Sequence, residues 1–320
     1  MTKKHYVGIS VALSVLLIPL FLLYLPIYAA NSFLLILGTA FLAMTVAITV
    51  SFCLIAATKR EYVKAQLTTL KRFRYLLFLM VKRDFVTRYR RSVLGVLWSL
   101  LNPLLMMLVL TMVFSTLFRH DIENFMVYLL SGRIIYDFFS ESTTQAMNSV
   151  INNAGIIKKV YVPKWIFPVT RVVSSLVNLG FSFIAFLLVF FITRAPFHWT
   201  IFLVPIPIIY LFIFAMGVGM VLSSIAVFFR DISHLYGVAM VLLMFLTPIF
   251  WPVSILSERV FHLLHFNPLF HFLNYFRALA LEGFIPGFWT NIICLGFALA
   301  ALCCGLYVKM TQQDKYILYL

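Results

Sequence analysis

Long apolar stretches separated by short polar ones dominate this sequence. Eight of them are long enough to cross a membrane as helices, because about 20 residues span the hydrocarbon core of a bilayer. They cover about 6–29, 33–57, 93–118, 124–150, 165–193, 201–229, 232–252 and 288–310. The stretch 124–150 is the least apolar of them. The pattern predicts an all-α polytopic membrane protein.

Residues 73–91 do not follow the pattern of a membrane span. Apolar side chains recur there at helical spacing, whereas most Arg and Lys side chains fall between them. The apolar positions are Phe73, Leu76, Leu77, Met80, Val81 and Phe85. This arrangement is typical of an amphipathic helix lying in the membrane interface. We therefore predict an interfacial helix over 73–91, rather than a simple flank of the next span, after a basic linker at 58–72.

The segment 253–287 is too short and too broken to form two full spans. Pro268 and Pro286 interrupt it, although residues 260–266 and 269–281 are apolar and aromatic. Non-helical backbone at membrane depth must be covered by protein or line a wet cavity. We therefore predict two short re-entrant helices that form a structured gate on the outer side of the membrane.

Basic residues outnumber acidic ones, with 25 Lys and Arg against 10 Asp and Glu and a net charge of +15. Eleven of the basic residues, but only two acidic ones, lie between Lys59 and Arg91. This block is flanked by apolar stretches, and cytoplasmic loops are enriched in Lys and Arg, so we place it in the cytoplasm beside anionic lipid headgroups. The distribution argues against nucleic-acid binding. Eight spans with both termini in the cytoplasm place the other basic loops on the same side.

Residues that could carry chemistry of their own are scarce. No glycine is followed by lysine, so the chain lacks a phosphate-binding loop of the GxxxxGK[ST] type. The four cysteines lie in apolar stretches without metal-ligand spacing, and His262, His265 and His271 have only Glu258 at a useful distance. We predict no metal, no cofactor and no catalytic residue in this chain. The Gly-Val-Gly run at 217–219 predicts close helix packing.

Polar residues in the stretch 124–150 form a stripe along one helix face. Arg133, Asp137 and Glu141 are spaced four residues apart, so they follow one another on the same side. Ionisable residues inside a membrane usually face the interior of a bundle or a cavity. Three interpretations stay open: an ion-pair ladder that ties helices together, the hydrophilic wall of a substrate path, and a proton relay. The relay would need further titratable groups across the bilayer, which the other spans lack.

Four segments, taken together and in order, resemble one family of transporter subunits. They are RDFVTRYRRSVLGVLWSLLNPLLMMLVLTMVFSTLF (83–118), NNAGIIKKVYVPKWIFPV (152–169), VFFRDISHLYGVAMVLLMFLTPIFWP (227–252) and FNPLFHFLNYFRALALEG (266–283). They resemble the permeases of type-2 ABC exporters, in particular those that export lipid-linked polysaccharide, O-antigen, capsule or teichoic acid. The resemblance covers about residues 72–315.

The resemblance implies a domain organisation and a set of partners. A six-span permease core over 93–315, with re-entrant helices before its last span, would follow the interfacial helix and form a homodimer. Two extra transmembrane helices at 1–57 depart from the family pattern, and their role stays open. A separate ATPase subunit would bind ATP and Mg²⁺. The protein would lie in the bacterial cytoplasmic membrane and move a lipid-linked glycan.

The resemblance also implies site residues. By similarity, the interfacial helix and the connection after the second core span contact the ATPase, through Asn152, Asn153, Ile156, Lys158, Lys159, Tyr161 and Pro163. The two lysines also serve as ordinary positive-inside anchors. By similarity, the first and fifth core spans line the translocation path, with Trp98, Asn102, Phe114, Phe118, Tyr236, Phe245, Phe250 and Trp251 as candidates. We further expect Arg88, Arg90 and Arg91 to attract the pyrophosphate headgroup of the substrate at the cytoplasmic leaflet.

Two alternatives remain beside the polysaccharide exporter. One is an exporter of the same fold that moves drugs or small lipids. The other is a membrane enzyme acting on a polyprenyl-linked sugar, with Asp137 and Glu141 as acid and base. The enzyme would work without ATP and would lose activity on Asp137→Asn.

Overall fold

The computed structural model describes residues 60–89, 94–118, 124–160, 162–255 and 264–312. The two predicted N-terminal helices at 1–57 lie outside these residues, as do Arg90, Arg91 and Tyr161. Within the described ranges the chain contains helices and turns but no β-strand. The prediction of an all-α protein is confirmed for this part of the chain.

Nine α-helices follow one another in the described ranges. They are α1 (Arg60–Tyr89), α2 (Leu97–Phe118), α3 (Phe125–Asn152), α4 (Ala154–Ile157), α5 (Ile166–Ile192), α6 (Pro205–Phe228), α7 (Ile232–Leu246), α8 (Pro268–Ala280) and α9 (Phe288–Gln312). Short 3₁₀ turns at Trp199–Leu203 and Val253–Ile255 precede α6 and follow α7.

Four of the described helical segments are long and apolar enough to cross a membrane. They are Leu97–Phe114, Ile166–Ile192, Trp199–Phe228 and Phe288–Lys309. Helix α3 has 28 residues but carries the three charges of the predicted stripe, and α7 is apolar but has only 15 residues. The core therefore combines long apolar helices with one polar and one short helix.

The prolines that break the outer segment mark where a helix begins. Pro268 occupies the first turn of α8, where its missing N–H costs no intrahelical hydrogen bond. The side chain of Asn267 caps the same helix, because its Oδ1 accepts a hydrogen bond from the N–H of Leu269 at 3.0 Å. A short helix therefore forms within the segment for which re-entrant helices were predicted.

Helix α3 lies at the centre of the bundle, where it packs against α5 and α6, and α6 forms the most extensive pairing of the fold with α9. Glycine makes this close pairing possible, since a Cβ atom on Gly217 would overlap the backbone of Ala301. A Cβ on Gly219 would lie 2.7 Å from the Cβ of Ala146 on α3. The Gly-Val-Gly run thus sits where three helices approach one another, as predicted from the sequence.

The apolar face of α1 packs against the bundle. Met80 is buried there, and Phe73, Leu76 and Leu77 pack beside it against the ends of α3, α5 and α6. The contacted residues are Val150, Ile157, Val162, Ile166, Phe167 and Val227. The helix begins at Arg60, so it also includes most of the predicted linker at 58–72. The amphipathic pattern of α1 therefore marks a helix that docks on protein through its apolar side.

The helices alternate in direction, which gives the bundle two distinct ends. At one end, Val150, Trp165, Ser223 and Lys309 surround a small gap; we call it the basic end. At the other, the first turn of α3 and the residues after α7 surround Arg277 of α8; we call it the Arg277 end. This alternation matches the order of loops predicted from the sequence.

Candidate functional site

A polar cavity of about 730 Å³ opens between α2, α3 and α5. Two residues predicted for the path, Trp98 and Asn102, line it from α2. The predicted stripe lines it from α3, and Arg88 reaches it from α1. Hydroxyl and amide side chains complete the wall: Ser99, Ser140, Thr144, Gln145, Asn178 and Ser182. The cavity therefore brings together three groups of residues that the sequence analysis had predicted separately.

The charged stripe of α3 forms only the first step of an ion-pair ladder. Nη2 of Arg133 donates to Oδ1 of Asp137 at 2.8 Å, one helical turn away. The next step would join Asp137 to Glu141, and two carboxylates repel each other. Glu141 takes its partner from another helix instead, since Nη2 of Arg88 donates to its Oε1 at 2.7 Å.

Glu141 is the point where three helices meet. Besides the bond from Arg88 on α1, its Oε1 accepts hydrogen bonds at 2.8 Å from Nε2 of Gln145 and from Nδ2 of Asn178 on α5. Hydrogen bonds to an ionised carboxylate are stronger than neutral ones. The carboxylate therefore links the docked helix α1 to the centre of the bundle.

A second cavity of about 520 Å³ lies beside the first, between α1 and α5. Arg88, Gln145 and Asn178 line both cavities. Its own residues include Asp84 of α1, whose Oδ2 accepts from Nη1 of Arg171 at 2.8 Å. The two cavities form one polar region that runs from the basic end towards the middle of the bundle.

Sequence reasoning missed the contribution of α5 to this region. Its polar side chains Arg171, Ser174, Asn178 and Ser182 all line one cavity or the other. Their spacing of three, four and four residues places them on a single helix face. The signal was present in the sequence as a polar stripe along an apolar span, but each residue is unremarkable when taken alone.

The other predicted path residues lie away from this polar region. At the Arg277 end, Phe250 packs against Phe114 of α2 and Phe245 of α7, with ring centroids 5.2 and 6.3 Å apart. The O–H of Tyr236 donates to Oγ1 of Thr143 at 2.6 Å, so this buried side chain points to α3. Trp251 accepts a hydrogen bond at 3.0 Å from Tyr128 through its carbonyl oxygen. The side chain of Phe118 lies outside the described residues.

The predicted coupling segment projects from the basic end. Asn152, Ile156, Lys158 and Lys159 are exposed there, whereas Asn153 is buried and donates from Nδ2 to the carbonyl of Ser149 at 2.7 Å. Two neighbouring side chains, Ile157 and Val162, pack in the cluster that also holds α1, and Pro163 follows them. The segment thus presents an exposed surface on a backbone anchored to the bundle.

Arg277 is a second feature that sequence reasoning missed. It is 5% exposed, and its guanidinium donates to the carbonyls of Pro248 at 2.7 Å and Tyr128 at 3.1 Å and to Oγ of Ser131 at 3.1 Å. Its Cζ also lies 3.5 Å above the centre of the Tyr128 ring, in cation–π geometry. A lone charged residue in an apolar helix was the available signal. The arginine ties α8 to α3 and to the turn after α7.

Of the histidines considered for a metal site, the structure describes His265 and His271. Within the described residues, no group of three or more His, Cys, Asp or Glu side chains is placed to hold a metal ion. His271 directs Nε2 to the carbonyl of His265 at 2.8 Å, so these two histidines contact each other through the backbone. His262 and Glu258 lie outside the described residues.

Comparisons with known proteins agree with the sequence resemblance. Residues 75–281 match the family model described as ABC-2 type transporter. The chain is 29% identical to an O-antigen export system permease protein, RfbA, of Klebsiella pneumoniae over 76% of this chain and 95% of the relative. It is 23% identical to the polysialic acid transport protein KpsM of Escherichia coli over 73% and 92%. It is 25% identical to the capsule polysaccharide export inner-membrane protein CtrC of Neisseria meningitidis over 62% and 76%.

Proposed function

Because this chain belongs to the ABC-2 type transporter family, we propose that it is the permease of an exporter that moves a lipid-linked polysaccharide across the bacterial inner membrane. The names of its relatives supply the substrate class, since they are permeases and export proteins for O-antigen, polysialic acid and capsule. The assay below distinguishes this proposal from the alternative, an exporter of the same fold that moves a drug or a small lipid.

The polar cavity is the observation that carries this proposal beyond family membership. The packing of apolar helices alone does not account for a cavity of about 730 Å³ that is lined by amides, hydroxyls and ion pairs. Sugars expose hydroxyl groups, which need both donors and acceptors, and C–H faces, which pack on aromatic rings. Trp98 and Asn102 of α2 and Asn178 of α5 offer these contacts around one cavity. The cavity therefore has the chemistry expected where a glycan passes.

We infer that the driving force comes from a partner ATPase that binds ATP and Mg²⁺. The sequence contains no phosphate-binding loop for a nucleotide. The exposed Lys158 and Lys159 follow Ile157, which shares its apolar cluster with Met80 of α1. A displacement of this exposed segment would be transmitted to α1 and the ends of α3 and α5, because close-packed clusters transmit strain. The basic end would then face the cytoplasm, as the positive-inside rule predicts.

We also propose that the transporter contains a second copy of this chain. The outward faces of α2 and α7 carry exposed apolar side chains, which a partner protomer or lipid must cover in a membrane. They include Leu105, Leu108, Met112, Val238, Leu242 and Phe245. At the Arg277 end, Phe250, which follows α7, packs on Phe114 of α2 and on Phe245 of α7. A homodimer that pairs these faces would place the predicted path between two copies, beside the helix α2 that lines the larger cavity.

Purification of the tagged chain from membranes in mild detergent tests the assembly. We expect a nucleotide-binding subunit to co-purify in equal amount and its ATP hydrolysis to rise with lipid-linked glycan. Stimulation by drugs or small lipids alone would transfer the proposal to the alternative cargo. Turnover of a polyprenyl-linked sugar by the chain without ATP would overturn it in favour of the enzyme.

A Trp98→Ala variant tests the cavity. We expect export in cells to fall about tenfold, taking the loss of sugar packing on the ring to be similar to the loss of base stacking on an aromatic side chain, which costs on the order of 1–3 kcal/mol. Trp289→Ala is the matched control, since Trp289 is exposed at the start of α9 and lines neither polar cavity. Equal export by the two variants, at equal protein levels in the membrane, would contradict the role of the cavity.

A further inference from the structure

The second polar cavity has an unusual balance of charge. Three guanidinium groups line its 520 Å³, those of Arg83, Arg88 and Arg171, and Asp84 is its one carboxylate. The carboxylate lies deepest, because the side chain of Asp84 is 12% exposed whereas those of Arg83 and Arg88 are 47% and 40% exposed. A molecule that enters this cavity therefore meets positive charge first.

Asp84 fixes the positions of two of these arginines, Arg83 and Arg171. Its Oδ2 accepts from Arg171 at 2.8 Å and from Oγ of Ser174 at 3.3 Å, and its Oδ1 accepts from Arg83 at 3.3 Å. A guanidinium has five N–H donors, so each arginine keeps donors beyond those that Asp84 uses. The carboxylate thus orients two forks and compensates one of the three positive charges, and Arg88 is paired with Glu141 at the edge of the larger cavity.

One part of the wall of this cavity is apolar, beside the polar side chains of Thr87, Gln145, Ser174 and Asn178. Val81 and Phe85 of α1 and Val177 of α5 line it beside the arginines, and Phe85 stacks on Phe181 with ring centroids 6.1 Å apart. Guanidinium forks match the geometry of phosphate oxygens, and an adjacent apolar wall suits a hydrocarbon chain. A soluble anion would use only the first of these features, whereas a lipid phosphate would use both.

We propose that Arg83, Arg88 and Arg171 form a binding site for the phosphate group of a membrane lipid, with its hydrocarbon chain against Phe85 and Val177. This inference rests on the proposed function, in which the lipid is the carrier of the glycan. It differs from the sequence-based expectation for Arg88, Arg90 and Arg91, because two of the three positions are now Arg83 on α1 and Arg171 on α5.

Arg88 connects this site to the larger cavity. It lines both cavities and donates to Glu141 at 2.7 Å. A phosphate in the smaller cavity competes with Glu141 for this guanidinium. Gln145 and Asn178, which also donate to Glu141, line both cavities as well. A bound phosphate would therefore place the first sugar beside the larger cavity and weaken the bond between Arg88 and Glu141.

Native mass spectrometry of the full-length chain tests the site directly, without transport or ATP hydrolysis. The probe is a polyprenyl pyrophosphate, compared with the neutral polyprenol, phosphatidylglycerol and inorganic pyrophosphate. We expect the polyprenyl pyrophosphate to bind best. The variant pair Arg83→Gln and Arg171→Gln should lower its affinity at least tenfold, while Arg230→Gln, an exposed arginine at the basic end that lines neither cavity, should leave it unchanged.

Two further variants protect the test against loss of folding. Arg83→Gln alone changes a half-exposed side chain and should weaken binding severalfold. Arg171→Lys keeps the charge but removes the fork and should also weaken binding. Equal affinity in all variants, or an equal loss with Arg230→Gln, would overturn the site. Equal binding of inorganic pyrophosphate would overturn the lipid assignment, and equal binding of phosphatidylglycerol would overturn the link to the glycan carrier. Lost binding with normal ATPase co-purification and export would remove the site but keep the proposed function.

Discussion

The arginine side chains at the two ends of this bundle differ in their hydrogen-bond partners and in their exposure. At the basic end, Arg88 and Arg171 pair with carboxylates at 2.7 and 2.8 Å, and their side chains stay partly exposed to cavities. At the other end, Arg277 is buried, and each of its hydrogen bonds goes to a carbonyl or a hydroxyl oxygen. The first arginines are partly exposed in their cavities, whereas Arg277 is only 5% exposed, although it borders a third cavity of about 670 Å³.

The difference shows which arginines can change partners. A guanidinium beside a cavity exchanges a carboxylate for another anion at low cost, because water and ligand reach both groups. Removing a buried guanidinium leaves its carbonyl partners without their donor. We therefore propose that the partly exposed arginines bind the substrate and that Arg277 holds α3, α8 and the turn after α7 together.

The largest expected effect comes from breaking the Arg277 end. Arg277→Met should lower the free energy of unfolding by about 3–5 kcal/mol, because the carbonyls of Pro248 and Tyr128 and the hydroxyl of Ser131 lose a buried donor at about 1–3 kcal/mol each. The measurement is the thermal midpoint of the purified chain in detergent, together with its level in the membrane. Arg230→Met, at an exposed position, should leave both unchanged. A midpoint within a degree or so of the parent's would contradict the structural role of Arg277.

A smaller effect is expected at the pairing of α6 with α9. Gly217→Ala should lower the free energy of unfolding by about 1–3 kcal/mol, because the added methyl overlaps the backbone of Ala301. Gly296→Ala is the matched control on α9, since a Cβ there meets nothing within 4 Å and alanine favours a helix. The pair is compared by thermal unfolding. Equal midpoints would mean that the helices separate at little cost.

The smallest effect on stability, but a clear effect on transport, is expected at the Arg88–Glu141 pair beside the polar cavities. Glu141→Gln should change the free energy of unfolding by less than about 1 kcal/mol, because the Arg88–Glu141 pair is partly exposed. Export should nevertheless change severalfold, since the charged bond from Arg88 at the boundary of the two cavities is lost. Asp231→Asn, at an exposed position of the basic end, serves as the control. A loss of stability as large as that of Arg277→Met would contradict the claim that Glu141 contributes less to stability than Arg277.

Much of the fold could be predicted from local patterns. The apolar stretch 165–193 corresponds to α5 at Ile166–Ile192, and 232–252 contains α7 at Ile232–Leu246. The glycines at 217–219 were assigned to helix packing, which they serve. These predictions succeed because hydropathy, helical spacing and the absence of a Cβ are properties of a segment and its own side chains.

The site was predicted only in part, for a physical reason. The spacing of Arg133, Asp137 and Glu141 placed them on one face, and Trp98 and Asn102 were nominated through the family resemblance. The partner of Glu141 was not predictable, because Arg88 is 53 residues away along the chain. Long-range contacts depend on how helices are packed, and no local pattern records that packing.

Composition and spacing along the chain were thus sufficient for the apolar helices of the described core, the amphipathic pattern of α1, the polar stripe and the missing nucleotide loop. Packing alone decided that α1 docks on the bundle, that the polar faces of α3 and α5 line one polar region, that Arg88 pairs with Glu141, and that Arg277 is buried between α3 and α8. Helical spacing determines which residues share a face, whereas the contacts among all the helices determine which face meets which.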